Sequence, residues 1–335
     1  MSWYDVQQEN DIMVSTRVRI ARNLKKYPFS CMMKEEDFVN VCNDIKNAVL
    51  NGNSAISGDF EFYEVEKMSS DDAASFTEQH MISPLLSKSK GGAVLINNDR
   101  SMSLMINEED HIRMQVILPG LKLKEAWETA NRVDDLLEEN VEYAFDEKLG
   151  YITSCPTNLG TGMRASVMMH LPALTLTREI SKLVASAANL GLAVRGIYGE
   201  GSEALGNLYQ ISNQITLGVS EQELISKVEN IAKQIEGYEL EARKRLITNN
   251  KTELENRVWR SFGILKYSRE ISSKEAKSLI SDVILGKALS IIDEEVKMPL
   301  IELMVKTEPA HITSGENMSV QARDVKRAEL IRNQF

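Results

Sequence analysis

Four short segments of the 335-residue chain combine arginine, carboxylate, cysteine and glycine in patterns that suit an anion and a cation held side by side. The first is Ser15-Thr16-Arg17-Val18-Arg19. In a strand, side chains two apart point the same way, so Arg17 and Arg19 share a face and can clamp a polyphosphate by charge-assisted hydrogen bonds. The same spacing also describes an edge strand with a charged outer face. The second is Asn107-Glu108-Glu109-Asp110-His111-Ile112-Arg113. A strand resuming at Glu109 puts Glu109, His111 and Arg113 on one face, a carboxylate beside a guanidinium; the alternative is a solvated acidic turn. The third, Cys155 to Ser166, has a proline and two glycines ahead of Arg164, which fix an irregular loop whose backbone N–H groups suit an anion. It lacks the Gly-Lys-Ser/Thr ending of a Walker A loop. Cys155 reads either as a reactive thiol in a positive field or as a small buried hydrophobe. The fourth, Arg195-Gly196-Ile197-Tyr198-Gly199-Glu200-Gly201, reads as a glycine-rich loop that delivers the Glu200 carboxylate just after Arg195.

The elements that must position these groups follow from hydrophobic period. Residues 11–22 alternate charged and apolar character. Phe60–Val65, Ala93–Ile96, Met102–Ile106 and Ile112–Leu118 read as strands, the last three joined by loops short enough for an antiparallel meander. Helical spacing runs over Glu35–Leu50, Asp71–Met81, Leu123–Lys148 and Arg178–Leu190, with further strands through Val167, at Leu192–Ile197 and at Leu208–Leu217. Past Ser220 the chain is charged and helical, and Lys274–Leu285 and Val320–Arg332 are amphipathic. The pattern predicts an α+β fold, an antiparallel sheet flanked by helices, followed by a small all-α domain. The boundary is expected near residue 248, giving a catalytic domain at 1–248 and a helical domain at 249–335.

Composition narrows the field. A net charge of −10 argues against nucleic acid as the main partner. No apolar run approaches the roughly 18 residues of a membrane span, and the N-terminus lacks a signal-peptide layout. Cys31, Cys42 and Cys155 lack the pairing or spacing of a disulfide framework or zinc site. A reducing cytoplasm is the expected compartment.

Taken together, the four segments resemble the ATP:guanido phosphotransferases, the family of arginine and creatine kinases, in the family's order and at compatible spacing. Asn107–His111 and Cys155–Thr161 are the specific strings. Within the family the match runs to the bacterial protein arginine kinases, on Gly162–Met168 and Arg195–Gly201. Kinases of small guanidines usually carry Thr-Arg where Ile197-Tyr198 stand and histidine where Gly201 stands. The resemblance implies a guanido kinase/glutamine synthetase-like catalytic domain. Carried over residue by residue, it implies Glu109 and Glu200 as catalytic carboxylates and Cys155, as a thiolate, against the guanidinium. ATP would be bound by Ser15, Thr16, Arg17, Val18, Arg19, His80 (against the adenine), Arg113, Arg164, Ala165, Ser166, Val167, Met168, Arg195, Gly196, Ile197, Tyr198 and Gly199. Mg²⁺ would be held mainly by the nucleotide and water.

Two further features bear on the substrate. Relatives that act on free arginine or creatine carry a helical domain ahead of the Ser-x-Arg-x-Arg segment, and here fourteen residues precede Ser15, which leaves room for an arginine on a protein. Near the other end, Arg323-Asp324-Val325-Lys326-Arg327-Ala328 puts Arg323, Lys326 and Arg327 on one helix face. That string reads as an amphipathic helix with an Asp324–Arg327 ion pair, and it resembles the phosphoarginine-binding motif of the protein arginine kinases, an allosteric site. The expectation is a protein arginine kinase that marks proteins for Clp-type proteolysis in stress and quality control, with a zinc-binding activator, a Clp ATPase and self-association as partners. The alternatives are a kinase of free arginine and a non-catalytic phosphoarginine adaptor.

Overall fold

The computed structural model describes residues 3–4, 10–51, 58–196 and 204–335. The strands are β1 (Met13–Arg22), β2 (Phe60–Glu64), β3 (Ala93–Asn97), β4 (Met102–Ile106), β5 (Ile112–Pro119), β6 (Phe145–Asp146), β7 (Gly150–Tyr151), β8 (Met163–His170), β9 (Leu192–Gly196) and β10 (Leu208–Asn213). The helices are α1 (Glu35–Leu50), α2 (Ser70–Glu78), α3 (Leu123–Glu138), α4 (Pro172–Leu176), α5 (Ile180–Asn189), α6 (Glu221–Tyr267), α7 (Ser273–Ala288), α8 (Leu300–Lys306), α9 (Pro309–Thr313) and α10 (Val320–Arg332). Among the described residues the main sheet has eight strands in the order β2-β3-β4-β5-β1-β8-β10-β9, each antiparallel to its neighbours. The expected meander is β3-β4-β5, and β1 lies at the centre between β5 and β8.

Period 2 sorts the sheet into an apolar face and a polar one. Val18, Ile20, Leu104, Met114, Val116, Ala165 and Val167 point to one side, into a core shared with α1, α3 and the first half of α6. The opposite face carries Arg17, Arg19, Arg113, Gln115, Arg164 and Ser166 along its middle, by the pairing of Arg19 with Gln115 and Arg164, and of Arg17 with Ser166. Toward the Ser15 end, and across β4, that face turns apolar, and Val14, Ile117, Met168 and Met105 enter a second core with Val258, Phe262, Ile280, Leu285 and Ile331 from the C-terminal helices. Helix α6 therefore serves both cores. Its turn of non-helical backbone at Asn250 (φ −133°, ψ 32°) lies between the two sets of buried residues. Serine caps start these helices: Ser220 with Glu223 forms a capping box, and Ser272 and Ser319 each accept a backbone N–H of the first turn.

Two expectations fail locally. The helix read as Leu123–Lys148 ends at Glu138, and a β6–β7 hairpin follows. Charged residues keep the helical pattern going past 138, but Tyr143 and Tyr151 pull the chain back over the Arg22 guanidinium, which lies 3.4 Å from the Tyr151 ring centroid. The strand expected at Leu208–Leu217 stops at Asn213, where Asn213 Nδ2 donates to Met163 O and Ile215 O (3.1 Å each) and its Oδ1 accepts from Ala165 N (2.8 Å).

Candidate active site

An open cavity of about 570 Å³ lies on the polar face, lined by Arg19, Glu109, Arg113, Cys155, Arg164 and Arg195 together with Leu85, Thr157, Asn158 and Gly162. Four guanidiniums from β1, β5, β8 and β9 thus meet one carboxylate and one thiol. Arg17 lies on the same face but is turned to Gln115, whose Oε1 accepts from Arg17 Nε at 2.9 Å and from Nη2. Arg164 is steadied by Ser212 Oγ (3.1 Å from Nη2). The Nε of Arg19 is buried without a hydrogen-bond partner. Burial, with the charges of Arg113 and Arg164, pushes Arg17 down to about 9, and burial with the charges of Arg17, Arg113 and Arg164 holds Arg19 well below the arginine range. Cations so crowded that they depress one another suit an anion, since a polyphosphate would remove the mutual repulsion and satisfy open donors such as Arg19 Nε.

The acidic segment is a turn rather than a strand. Asn107 takes a left-handed φ of 60°, its N–H bonds to His111 O (3.1 Å), and β5 resumes only at Ile112. The expected common face of Glu109, His111 and Arg113 therefore does not exist. His111 turns into the protein, where Nδ1 accepts from Leu24 N (3.0 Å) and Nε2 lies 2.9 Å from Pro28 O. Burial, the largest effect, lowers its pKa. Glu108, not Glu109, pairs with Arg113, and it also accepts from Ser83. Burial works to raise the Glu108 carboxyl, but the charge and hydrogen bond of Arg113, with Ser83, outweigh it and hold the carboxyl below the usual range. Asp110 is a tether: its Oδ1 accepts from Asn23 Nδ2 (2.7 Å) and from Ser154 N (2.6 Å), so the end of β1 and the loop bearing Cys155 are tied to this turn.

What remains free to act in the turn is Glu109. Burial first, then the charges of Asp110 and Glu108, raise its pKa above the ordinary glutamate value, against opposing contributions from Arg113 and a hydrogen bond from Cys155. The Cys155 Sγ also lies 3.0 Å from Thr157 Oγ1. In this loop the N–H groups of Asn158, Leu159, Gly160 and Thr161 bond to protein carbonyls, so these amides are not open to an anion and the guanidiniums supply the positive surface.

The other expected residues divide by strand parity. Ser166 and Met168 share the arginine face, and Ser15 pairs opposite Met168; Thr16, Val18, Ala165 and Val167 point away, with Thr16 Oγ1 donating to Gly120 O (2.7 Å). Gly196 closes β9. Ile197, Tyr198, Gly199, Glu200 and Gly201 lie outside the described residues. His80 lies beyond Arg17, its imidazole pushed down to about 3 by burial and by the charges of Arg17, Lys277 and Arg19, and its ring centroid is 5.5 Å from that of Trp3. Sequence reading missed Gln115, Ser212 and Asp110 as organisers. Gln115 was within reach, two residues after Arg113 on the same strand face.

In the C-terminal motif, Arg327 is buried; its Nε donates to Thr307 O (2.7 Å), and its Nη1 donates to Ile271 O (2.9 Å) and to Asp324. Arg323 Nε is buried without a partner. Among the described residues no three His, Cys, Asp or Glu side chains are grouped to hold a metal, and no helix is long and apolar enough to cross a membrane.

Residues 29–242 match the ATP:guanido phosphotransferase C-terminal catalytic domain, and residues 251–335 match the protein-arginine kinase McsB C-terminal domain. A protein-arginine kinase of Caldanaerobacter subterraneus is 48% identical over 333 residues, covering 98% of each chain. One of Pelotomaculum thermopropionicum is 47% identical over 338 residues, covering 99% of this chain and 95% of its own. Among solved structures, a lombricine kinase superposes with a TM-score of 0.61 at 25% identity over 70% of this chain and 68% of its own. A duplicated taurocyamine kinase from Schistosoma mansoni, at 23% identity over 82% of this chain and 40% of its own, shares the fold with a TM-score of 0.61.

Proposed function

The chain belongs to the ATP:guanido phosphotransferases and is a kinase, and from that membership we propose that it transfers the γ-phosphoryl group of ATP to the guanidinium of arginine residues in proteins. The observation that carries this reading is the cavity in which Arg19, Arg113, Arg164 and Arg195 face Glu109 and Cys155. The arginines bind the phosphates and take up the charge of the transferring group, which is most of what phosphoryl transfer asks of a protein. Mg²⁺, brought by the nucleotide rather than held by a cluster of protein ligands, would supply further charge neutralisation at the phosphates. Glu108 keeps Arg113 aimed into the cavity.

A guanidinium nitrogen is a poor nucleophile while protonated, because its pKa is about 12.5–13.8. Glu109 bonds one edge of the substrate guanidinium and accepts the proton as the nitrogen–phosphorus bond forms and the bond to the β-phosphate oxygen breaks, releasing ADP. Its raised pKa makes it a better base than an exposed glutamate. The Cys155 thiol, hydrogen-bonded to Glu109, positions the same group. Glu200, by family resemblance, is the second carboxylate.

Protein as the acceptor is supported by the full-length relatives that carry that activity in their names. We divide the chain at the Asn250 break, residues 1–248 catalytic and 249–335 regulatory. For Arg323–Ala328 we keep a phosphoarginine-sensing role in narrower form: Arg323 meets the phosphoryl group while Arg327 anchors the helix. Marking of proteins for Clp-type proteolysis, a zinc-binding activator, self-association and a cytoplasmic setting complete the proposal.

Incubation of the pure protein with Mg-ATP and an unfolded protein, followed by mass spectrometry, is expected to show phosphoarginine on the protein. Transfer of labelled phosphate to free arginine alone, with none on protein, overturns the choice of acceptor.

A further inference from the structure

We propose that Glu78 is a positioning residue for nucleotide binding, the point through which the C-terminal helices hold the His80 segment against the sheet. The proposal rests on the reading that His80 lies beside the nucleotide base. His80 follows the end of α2 and has a left-handed φ of 61°, a conformation a histidine keeps only when its surroundings impose it. No residue of α2 is fully buried, and its apolar anchorage is limited to the partly buried Ala73 and Phe76 at the edge of the second core, so polar contacts must fix its end.

Three sets of contacts supply what the helix lacks. From the sheet, Gln115 Nε2 donates to His80 O and, at 3.1 Å, to Met81 O, while Ser103 Oγ donates to Met81 O at 2.7 Å. From the N-terminal residues, Trp3 Nε1 donates to Gln79 O at 3.2 Å. From the C-terminal helices, the Glu78 carboxylate accepts Ala310 N (2.8 Å) and His311 N (3.1 Å), and its Oε2 lies 2.8 Å from His311 Nδ1. The segment it grips is itself fixed from behind, since Arg327 Nε holds Thr307 O, and Glu308 meets Lys277 and, at 3.2 Å, Ser273. The path from Arg327 through residues 307–311, Glu78, His80 and Gln115 to Arg17 is continuous in hydrogen bonds and chain. A carboxylate with three N–H neighbours in a half-closed environment is a strong tether, because charge-assisted bonds are about twice as strong as neutral ones. Glu78 does not line the cavity that holds Glu109 and Cys155, so its effect is expected on nucleotide binding and not on the chemical step.

The test uses the full-length protein with Glu78→Ala and Glu78→Gln. Dissociation constants for ATP and ADP are measured directly by calorimetry, beside kcat, both KM values and the melting temperature. Glu78→Ala is expected to weaken ATP binding about tenfold, equivalent to about 1.4 kcal/mol, with Glu78→Gln between it and the wild type. Saturated kcat and the KM for protein substrate are expected to stay within about twofold, the pattern of lost ground-state binding. Arg257→Ala, which breaks the 2.8 Å pair with Asp282 inside the same helices, serves as the control for general loosening. It is expected to lower the melting temperature and leave the ATP constant alone. An unchanged ATP constant in folded Glu78→Ala overturns the proposal, as does an equal loss in Arg257→Ala. Where the alanine variant does not fold, an unchanged constant in Glu78→Gln overturns it. Absence of transfer by the wild-type protein would count against the proposed function alone, because the binding constants do not depend on the acceptor.

Discussion

Glu109 is the residue on which the chemistry turns, and its environment makes its behaviour testable. Glu109→Gln keeps the shape and removes the base, so transfer should fall by about 10²–10⁴-fold while ATP affinity, measured by calorimetry, stays near wild type. The pH dependence has a definite sign. Burial and the neighbouring carboxylates raise the Glu109 pKa, so its protonated, inactive form persists to higher pH than an exposed glutamate would allow. Activity is therefore lost as pH falls through that raised value, and the acid limb of kcat/KM should lie above the ordinary glutamate range. Profiles of the wild type and Glu109→Gln decide the matter, since a limb retained in the variant belongs to another group. At this scale much was legible in the sequence. Arg17 and Arg19 share a face as strand period alone predicts, because a paired strand has no freedom to rotate its faces. Glu109 and His111 are not, because period 2 holds only inside a strand and the left-handed Asn107 breaks it. Tertiary partners such as Glu108 for Arg113 leave no mark on spacing.

At the scale of elements, the site depends on how the loop carrying Cys155 is seated against β1 and on how β1 is bolted to α3. A side chain at Gly160 (φ 109°) would place its Cβ 2.4 Å from Thr216 O, and one at Gly162 (φ 63°) would place it 2.6 Å from Ala21 O. Gly160→Ala should cost roughly 1–3 kcal/mol from the backbone conformation alone and more from the clash. A lowered melting temperature, with transfer reduced further than ATP binding, is the expected result. The bolt is Arg22, fully buried, with Nη2 2.6 Å from Asp134 Oδ2 and its guanidinium stacked on Tyr151. Asp134→Ala leaves that charge uncompensated and should destabilise by about 3–5 kcal/mol, seen by denaturant unfolding, whereas Arg22→Met with Asp134→Leu should recover much of the loss. The sequence announces the glycines as turn-formers, because positive φ is a local demand. It hides the bolt, since nothing in the spacing of Arg22 and Asp134 shows that two surface-type residues will meet in a core. The overlong reading of α3 has the same origin, as a helical charge pattern does not reveal that aromatics beyond it are recruited by a buried cation.

The whole molecule raises a question that the match to two family domains leaves open, namely whether it behaves as two units or one. The chain changes from alternating to helical texture past Ser220, a division is expected near residue 248 inside α6, and the helices beyond it have their own N-caps. Packing points the other way. Val14, Val94, Ile96, Met105, Ile117 and Met168 of the sheet are buried in the same core as Val258, Phe262, Ile280, Val283, Leu285 and Ile331 of the C-terminal helices. Polar ties reinforce that core: His170 Nε2 lies 2.7 Å from Ser281 Oγ, Asn207 Nδ2 donates to the same hydroxyl at 2.7 Å, and Glu78 grips α9. Each buried aliphatic side chain on this boundary contributes about 1.5–3 kcal/mol, so six from the sheet alone approach or exceed the net stability of about 5–15 kcal/mol typical of a folded protein. A unit stripped of that contact would expose a contiguous apolar face. The full chain should therefore unfold in a single calorimetric transition with the van't Hoff and calorimetric enthalpies in agreement. A fragment ending at residue 248 should be insoluble or lack the cooperative transition. Two well-separated transitions, with a fragment as stable as the first of them, would show the helices to be an appendage. In that case the communication assigned to Glu78 would have to run through that one contact, unsupported by a shared core.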